Sequence, residues 1–422
     1  MRYLLALLIG RLIRFAVRLV RPGGGSALPG LVVSKLAPDL VYKTLKSFPQ
    51  GYVAITGTAG KSTTTKMVVA IVRAHGVEVF TNPSTANIEQ GFFSTIVRTG
   101  NLFGKVPGTI AILEMDEAHA ANVARKVSPN TSVILNVLED QLDRFIDPAL
   151  VRDTLTVVAN RTSGQVLLNA DDQNCLMIAE KLKNSDRISW FGFSDELNSV
   201  ANLHYAPTYM SELSRRPTQV TLLSQNERGV TVEVFGDEIS FQLPSRGAHF
   251  ALDAIAAIAT SSEILGSEFS AKLAASVLNE LPPVFSRGEI REINGEQVEF
   301  ILVQNPPSMQ LNLDNIQSAP EQVLFAIGRD VHDPSWLWTV DYSKLTNVSM
   351  VSGFNYADAA LVLKYNGVRV DKVEPDYFKA IDDFLSLPRP KSGIKTVLYS
   401  ADAMRRLRRY KGFTDPEDVA RV

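Results

Sequence analysis

The chain has 422 residues, of which 45% are hydrophobic and 21% are charged, and its formal net charge is −2. This length allows two or three folded domains, and the near-neutral charge excludes a whole-chain electrostatic attraction to nucleic acid. The only cysteine, Cys175, excludes an internal disulfide and a cysteine-based metal site, and such scarcity fits a reducing cytoplasm.

A first helix is predicted over residues 3–20, where Arg11, Arg14 and Arg18 interrupt an apolar stretch at helical spacing. The uninterrupted apolar run, residues 3–9, is too short to span a bilayer. Two interpretations remain open. Either the helix packs on the protein with its arginines facing outward, or it is a basic amphipathic helix that rests on an anionic membrane surface.

The most informative stretch is residues 55–65, Ile-Thr-Gly-Thr-Ala-Gly-Lys-Ser-Thr-Thr-Thr, between a predicted strand and a predicted helix. This order is typical of a phosphate-binding loop, in which backbone N–H groups and a helix N-terminus face phosphate oxygens. Lys61 is predicted to reach the terminal phosphates, and the Ser62 hydroxyl to bind Mg²⁺. We expect a nucleoside triphosphate to contact the whole loop, namely Gly57, Thr58, Ala59, Gly60, Lys61, Ser62 and Thr63.

Strands and helices alternate around this loop, which predicts an α/β domain with a parallel sheet. The predicted strands are 52–55, 77–81, 109–114, 131–136 and 165–169, and the predicted helices are 61–74, 118–127, 148–158 and 173–182. Residues 195–245 alternate apolar and polar and predict short antiparallel strands, which an alanine-rich helix over 248–265 follows.

The composition changes near residues 281–287, where we expect a domain boundary. Beyond it, predicted strands at 297–303, 322–327, 347–352 and 396–400 indicate a second, smaller α/β domain. The predicted division is therefore an N-terminal helix and lead-in, a nucleotide-binding middle domain and a C-terminal domain, at residues 1–45, 46–283 and 284–422.

Polar residues follow several predicted strands, at the edge where a parallel sheet binds ligands. Glu114 ends one strand and is a natural Mg²⁺ ligand, although a solvated acid at a strand end is the alternative. Asp116 and Glu117 either belong to the same site or cap the next helix. Asn169 and the acids at 171–172 follow another strand, where an amide could contact adenine, although such residues also favour turns.

These segments together resemble the Mur ligase superfamily, whose ATP-dependent ligases activate a carboxylate as an acyl phosphate that an amine then attacks. The resemblance rests on residues 57–64, Glu114, Asn136, Asp143-Arg144, 169–172 and 286–289. A narrower resemblance is to the MurT family, in which a GatD-type glutaminase supplies ammonia. It rests on the short segment before the phosphate loop and on residues 23–30, 114–118, 140–144, 305–306 and 335–338.

This resemblance implies amidation of the D-glutamate α-carboxylate of lipid II, with ATP and Mg²⁺ as cofactors. It implies that Ser62 and Glu114 hold the metal and that Lys61 acts in catalysis. Further nucleotide contacts are implied for Asn169, Asp171 and Arg287, and substrate contacts for Asn82 and Asn87.

The resemblance also implies that an aspartate before Ser335-Trp336 supports catalysis with the partner, and Asp333 and Asp330 are the two candidates. A GatD-like glutamine amidotransferase is the implied partner, at the cytoplasmic face of the membrane where lipid II is presented. No zinc is expected, because the four-cysteine ribbon of that family has no counterpart here.

Two alternatives remain open at this stage. One is a stand-alone Mur-type ligase that joins an amino acid to a carboxylate, as in polyglutamate synthesis. The other is a degraded scaffold that binds nucleotide without turnover. The intact Lys61, Ser62 and Glu114 argue against the second, and altered C-terminal positions, such as Gln304 in place of lysine, argue for it. Phe250 and Asp253, at positions that are commonly asparagine in the superfamily, are further departures.

Overall fold

The computed structural model describes residues 2–20, 28–83, 86–138, 148–200, 213–226, 228–282, 287–303, 305–314, 316 and 320–413. The described chain forms a nine-stranded and a five-stranded β-sheet, each with helices packed on it, and a separate two-stranded pair, so the predicted α/β fold with a larger and a smaller sheet is confirmed. Of the segments used above, residues 23–27, the acidic loop at 139–147, Ser286 and Gln304 lie outside these ranges.

The larger sheet contains the first nine strands of the chain. They are β1 (Tyr52–Thr56), β2 (Val79–Thr81), β3 (Ile110–Glu114), β4 (Thr131–Ile134), β5 (Val166–Asn169), β6 (Ile188–Phe193), β7 (Val220–Asn226), β8 (Gly229–Val234) and β9 (Asp237–Gln242). Their order is β2-β3-β1-β4-β5-β6-β7-β8-β9, parallel from β2 to β7 and antiparallel across β7, β8 and β9.

Helices cover both faces of this sheet. They are α1 (Arg2–Val20), α2 (Leu28–Leu36), α3 (Leu40–Lys46), α4 (Lys61–Ala74), α5 (Glu89–Thr99), α6 (Glu117–Ala124), α7 (Pro148–Arg161), α8 (Gln173–Glu180), α9 (Asp195–Val200), α10 (Ala248–Leu265) and α11 (Ala271–Glu280). Successive residues of β1 pack into two different hydrophobic cores, one on each face of the sheet, because successive side chains of a strand point to opposite faces. Tyr52 and Ala54 pack with α1 to α3 and α5 to α8, whereas Val53 and Ile55 pack with α4, α10 and α11.

The smaller sheet lies beyond residue 286. Its elements and their neighbours are β10 (Arg287–Ile293), β11 (Glu296–Leu302), α12 (Pro306–Asp314), β12 (Val323–Ala326), β13 (Asn347–Val348), β14 (Met350–Ser352), α13 (Tyr356–Tyr365), β15 (Arg369–Val370), α14 (Tyr377–Leu385), β16 (Lys395–Tyr399) and α15 (Ala401–Lys411). The strand order is β10-β11-β16-β12-β14, with β10 antiparallel to β11 and the other pairs parallel.

The helices predicted over residues 61–74 and 248–265 are α4 and α10, with the predicted bounds. The strand predicted over 131–136 ends earlier, at Ile134, because Asn136 turns to bind the loop after β1. The sequence reading missed α2, α3, α5, α11 and β6, and α9 lies where it predicted only strands. The strand predicted over 347–352 is divided between β13 and β14, which belong to different sheets. The predicted domain limits stay a prediction, although α11 ends at Glu280 and the second sheet begins at Arg287.

Helix α1 packs on the protein body, but its predicted orientation is wrong for Arg11. Arg11 points inward and donates hydrogen bonds to the carbonyl oxygens of Val97, at 3.3 Å, and of Gly100. Within the described residues, the one helix long and apolar enough to cross a membrane begins at Ala248, and 72% of its most apolar window is buried inside the protein. That helix is α10, which belongs to the core.

Candidate functional site

The loop between β1 and α4 has the geometry of a phosphate-binding loop. Gly57 and Gly60 have φ angles of +128° and +84°, which glycine adopts without the strain that a side chain would cause. Gly60 then caps α4. The first N–H groups of α4, at Lys61, Ser62 and Thr63, have no acceptor within the helix, so they are available to an anion.

Asn136 holds this loop in place from the neighbouring strand β4. Its side chain accepts a hydrogen bond from the Ala59 N–H at 2.8 Å and donates to the Ala59 carbonyl at 3.2 Å. Its own carbonyl accepts from the Thr58 N–H at 3.1 Å. A side chain at Gly57 would come within 2.9 Å of the same carbonyl oxygen. These hydrogen bonds fix the conformation of the loop.

The Lys61 side chain lies over the loop. Its ammonium donates to the carbonyl of Gly57 and, at 3.0 Å, to that of Thr58. It also lies 3.5 Å from the carboxylate of Glu117, and both side chains are largely buried. Glu117 is the first residue of α6 and contacts the loop through Lys61, whereas Asp116 is the N-cap residue of α6 and its side chain makes no capping hydrogen bond. Membership of a nucleotide site stays a prediction for both.

Glu114 ends β3 beside the phosphate loop and is buried. Its register partner in β1 is Ile55, two residues before Gly57. The Asn87 side chain donates to the Glu114 carboxylate at 3.2 Å. The Asn82 side chain instead accepts from the Glu114 N–H at 3.0 Å and donates to the Glu114 carbonyl at 2.9 Å.

These contacts separate the two predicted substrate-binding asparagines. Asn82 is buried, and its amide also donates to the Ala86 carbonyl at 3.0 Å, so both its oxygen and its nitrogen are committed to backbone groups. It binds the backbone of Glu114 on both sides, and a substrate contact by Asn82 stays a prediction. Asn87 is only partly buried and touches the Glu114 carboxylate directly. A substrate contact by Asn87 stays a prediction.

A small cleft next to the loop lies between the parts of the protein that contain the two large sheets. It is lined by residues of the phosphate loop and its neighbour Asn136, of α4, of the first turns of α10 and of the C-terminal region. They are Ala59, Gly60, Thr63, Asn136, His249, Phe250, Asp253, Leu302, Ser308 and Asn312. Asp253 is buried there and accepts a hydrogen bond from the Thr64 hydroxyl at 3.3 Å. A ligand in this cleft would contact the larger sheet's loop and the smaller sheet's α12 together.

The predicted nucleotide contacts after β5 are engaged within the protein. Asn169 is buried, donates to the Leu135 carbonyl at 3.0 Å and accepts from the Asp171 N–H at 2.9 Å. Asp171 accepts from the Arg215 guanidinium at 2.6 Å and from the Phe193 N–H at 2.7 Å. Burial raises the pKa of Asp171, and Arg215 opposes that rise. The contacts described here tie β5 to its neighbours, and nucleotide contacts by either residue stay a prediction.

The next residue, Asp172, is partly buried and caps α8. It accepts hydrogen bonds from the N–H groups of Val137 and Cys175, each at 2.9 Å. Burial raises its pKa to about 6. Arg287, predicted to contact the nucleotide, is the first residue of β10, and that contact also stays a prediction.

The structure distinguishes the two candidate aspartates of the C-terminal region. Asp330 accepts from the Ser400 hydroxyl at 2.6 Å and from the Ala401 N–H at 2.9 Å, so it caps the start of α15. Asp333 is exposed and accepts from the Ser335 N–H at 2.9 Å. Hydrogen bonds from Ser335 lower the pKa of Asp333, which favours the charged carboxylate.

Exposed aromatic and apolar side chains lie in the region that follows Asp333. Trp336 packs against the core of the smaller sheet, whereas Trp338 is partly exposed. The rings of Trp338 and Tyr365 meet edge to face with centroids 5.3 Å apart, and Tyr365 and Leu361 of α13 are both exposed. Large exposed apolar residues that cluster in this way are typical of protein interfaces.

The sequence reading missed how Asn136 and Asp253 act at the loop. The signal for Asn136 was its place just after a strand next to β1, where parallel strands end at a common edge. Asp253 had been noted only as a departure from a family pattern, because no local signal shows that it lies under Gly60.

Comparisons with known proteins agree with this geometry. A model of the Mur ligase middle domain matches residues 55–261, and a model of the MurT ligase C-terminal domain matches residues 302–401. The chain is 27% identical over 413 residues to a Streptococcus pneumoniae protein named lipid II isoglutaminyl synthase (glutamine-hydrolyzing) subunit MurT, with 87% of this chain and 88% of that protein covered.

Solved structures of related ligases share the fold. A pseudomurein peptide ligase type C from Methanothermus fervidus superposes with a TM-score of 0.67 at 17% identity, covering 89% of this chain and 80% of that one. The MurF ligase from Thermotoga maritima, solved in complex with ADP, superposes with a TM-score of 0.64 at 17% identity, covering 94% and 86%.

Proposed function

This chain belongs to the MurT family of the Mur ligase superfamily, and we propose that it is the ATP-dependent subunit of a lipid II isoglutaminyl synthase. Its reaction would convert the α-carboxylate of D-glutamate in the lipid II stem peptide to an amide. The observation that carries the proposal is the phosphate-binding loop between β1 and α4, with the Lys61 ammonium over it and the buried Glu114 at the end of the neighbouring strand β3.

The chemistry requires two steps. A carboxylate oxygen of the substrate attacks the γ-phosphorus of ATP and ADP leaves, which gives an acyl phosphate. Ammonia then attacks the acyl carbon and inorganic phosphate leaves, which gives the amide. The helix N-terminus at Lys61–Thr63 would hold the phosphates, and the Lys61 ammonium would move from the carbonyls of Gly57 and Thr58 to the phosphate oxygens.

The residues present suit a magnesium ion. The Ser62 hydroxyl and the buried Glu114 carboxylate are hard oxygen donors beside the phosphate loop, and Mg²⁺ bound to phosphates commonly takes one or two protein oxygens. Bound there, the ion would neutralise charge on the phosphates. Asn87 would orient the Glu114 carboxylate, and Asn82 would hold the backbone on which that carboxylate stands.

The ammonia source would be a second subunit. Cys175 is the chain's only cysteine, it is fully buried, and burial raises its thiol pKa, so it is not suited to attack glutamine. A GatD-like glutaminase would dock on the exposed surface of Leu361, Trp338 and Tyr365. Asp333 would serve at that interface, because it is exposed, whereas both carboxylate oxygens of Asp330 accept hydrogen bonds from Ser400 and Ala401.

The test is reconstitution with a candidate glutaminase. Lipid II is incubated with the purified pair, glutamine, ATP and Mg²⁺, and mass spectrometry reports whether a carboxylic acid has become an amide. Lys61→Ala is expected to abolish conversion. Lys66→Ala removes a lysine from the same helix and is the matched control, because Lys66 contacts the Pro282 carbonyl instead of the loop.

Three outcomes would refute the proposal. Lipid II of unchanged mass with both glutamine and ammonium salts would exclude this substrate. Attachment of an amino acid in place of ammonia would favour a stand-alone ligase, and nucleotide binding without any turnover would favour a scaffold. For Asp333, the expectation is that Asp333→Asn lowers the glutamine-driven rate more than the ammonium-driven rate, and an equal loss of both would contradict its role with the partner.

A further inference from the structure

We infer that the outward face of α1 is a docking surface for an anionic lipid bilayer. The inference concerns the part of the chain before the phosphate loop, which the amidation chemistry does not use. It does not depend on the proposed function, because it rests only on which side chains α1 exposes and on the charge around them.

The outward face of α1 is apolar. Leu5, Leu8, Leu12 and Phe15 are spaced by three, four and three residues, so they share one side of the helix. Their exposed fractions are 62%, 42%, 67% and 64%. A helix on a protein surface normally turns its polar residues to solvent, so an apolar outward face departs from that pattern.

The helix is fixed in this orientation by its inner face. Ala6 and Leu7 are fully buried in the core. Gly10 brings α1 so close to α2 and α5 that a side chain there would meet Val33 at 2.6 Å and Val97 at 3.0 Å. The inward hydrogen bonds of Arg11 to α5 and to Gly100 add to this packing. Rotating α1 to hide its apolar face would therefore break the close packing at Gly10.

Two neighbouring elements also expose apolar side chains. Phe103 is 75% exposed, and Leu31 of α2, which packs against α1, is exposed as well. The four apolar residues on one side of α1 mark an interaction site more strongly than single scattered residues do.

The charge of this region fits an anionic partner. The first 50 residues contain eight lysines and arginines but only one acid, Asp39, although the whole chain has a net charge of −2. Among the described residues, Arg2, Lys35, Lys43, Lys46 and Lys105 are exposed. Lys43 lies over the ring of Tyr3 in α1, 4.6 Å from its centroid. An apolar helix face in a segment of the chain that is rich in basic residues is the combination that binds anionic bilayers from one side.

The test is co-sedimentation of the full chain with lipid vesicles that contain no lipid II. The chain is expected to bind phosphatidylglycerol vesicles, to bind phosphatidylcholine vesicles much less, and to be released by salt. Leu12→Glu with Phe15→Glu is expected to weaken binding about tenfold or more, because it places charge on the inserted face. Leu150→Glu with Leu273→Glu makes the same change at two exposed leucines of α7 and α11, and it should bind like the unmodified chain.

Several results would overturn the inference. They are no binding to phosphatidylglycerol at low salt, equal binding to both lipids, and unchanged binding by the α1 variant. A dimer that the α1 variant dissociates, without any vesicle binding, would instead assign the face to a second copy of the chain. Since the vesicles lack substrate, failure here leaves the amidation proposal standing, and failure of amidation leaves vesicle binding unaffected.

Discussion

Gly60→Ala tests whether the phosphate loop is held as described. Gly60 has a φ of +84° and a ψ of −15°, which costs a residue with a side chain about 1–2 kcal/mol. The added Cβ would lie 2.1 Å from the Asp253 carboxylate, whereas an ordinary carbon–oxygen contact is about 3.3 Å or more. One group must therefore move by about 1 Å, since such a contact is not tolerated.

The group that moves is expected to be Asp253, whose hydrogen bond from Thr64 would then be lost. That loss adds about 1–2 kcal/mol, because Asp253 is buried. Gly60→Ala should thus lower the free energy of unfolding by about 2–4 kcal/mol in total. In an Asp253→Ala background there is no carboxylate to displace, so the same change should cost only about 1–2 kcal/mol.

The assay is urea unfolding of the four proteins of this cycle, with the coupling energy read as the difference between the two costs. A coupling of about 1–2 kcal/mol is expected. Equal costs in the two backgrounds would show that Gly60 does not lie against Asp253, and an unperturbed Gly60→Ala chain would refute the loop geometry itself.

Three further expectations follow from the site and its surroundings. Lys61→Ala should weaken ATP binding about tenfold to a hundredfold in calorimetric titrations, as loss of a charge-assisted contact does, while Lys66→Ala should leave it near the unmodified value. The raised pKa of Asp172, about 6 against an ordinary 3.8, means that its contribution to stability is fully present below pH 3.8 and is lost as the pH rises through 6. Because of Asp172, the free energy of unfolding should fall by about 3 kcal/mol over that pH range. Asp172→Asn should remove this part of the pH dependence. An unchanged dependence of the free energy of unfolding on pH in the variant would contradict the burial argument. Asp330→Asn should lower the free energy of unfolding by about 1–2 kcal/mol, since the cap of α15 loses its charge, whereas Asp333→Asn should change it by less than about 0.5 kcal/mol; the reverse ranking in thermal unfolding would contradict the assigned roles.

The phosphate loop could be predicted from sequence because its requirements are local. The glycines, Lys61 and Ser62 are contiguous, and the strand before them and the helix after them follow from short apolar patterns. The bounds of α4 could be predicted for the same reason, since Gly60 and the residues after it determine where the helix begins.

What holds the loop could not be predicted in the same way. Asp253 reaches Thr64 across 189 residues of chain, and Asn136 reaches Ala59 across 77. Asn169 shows the same limit for a predicted ligand contact. Its type and place suited a base contact, but only the folded sheet shows that its amide reaches the Leu135 carbonyl.

The orientation of α1 could not be predicted from the sequence either. The spacing of its arginines indicated a basic face, but which face turns inward depends on the acceptors that the body offers. Arg11 turns inward because α5 ends there and leaves the carbonyls of Val97 and Gly100 without helical partners. Likewise, the order of residues could not separate Asp330 from Asp333, whereas the position of α15 does.

The most direct test of the account is a crystal structure of the chain with a non-hydrolysable ATP analogue and Mg²⁺. The account predicts phosphates on the N–H groups that begin α4, the Lys61 ammonium turned toward them, and the metal between the Ser62 hydroxyl and the Glu114 carboxylate. A nucleotide bound elsewhere, or a Glu114 carboxylate that makes no contact with the metal directly or through water, would contradict it.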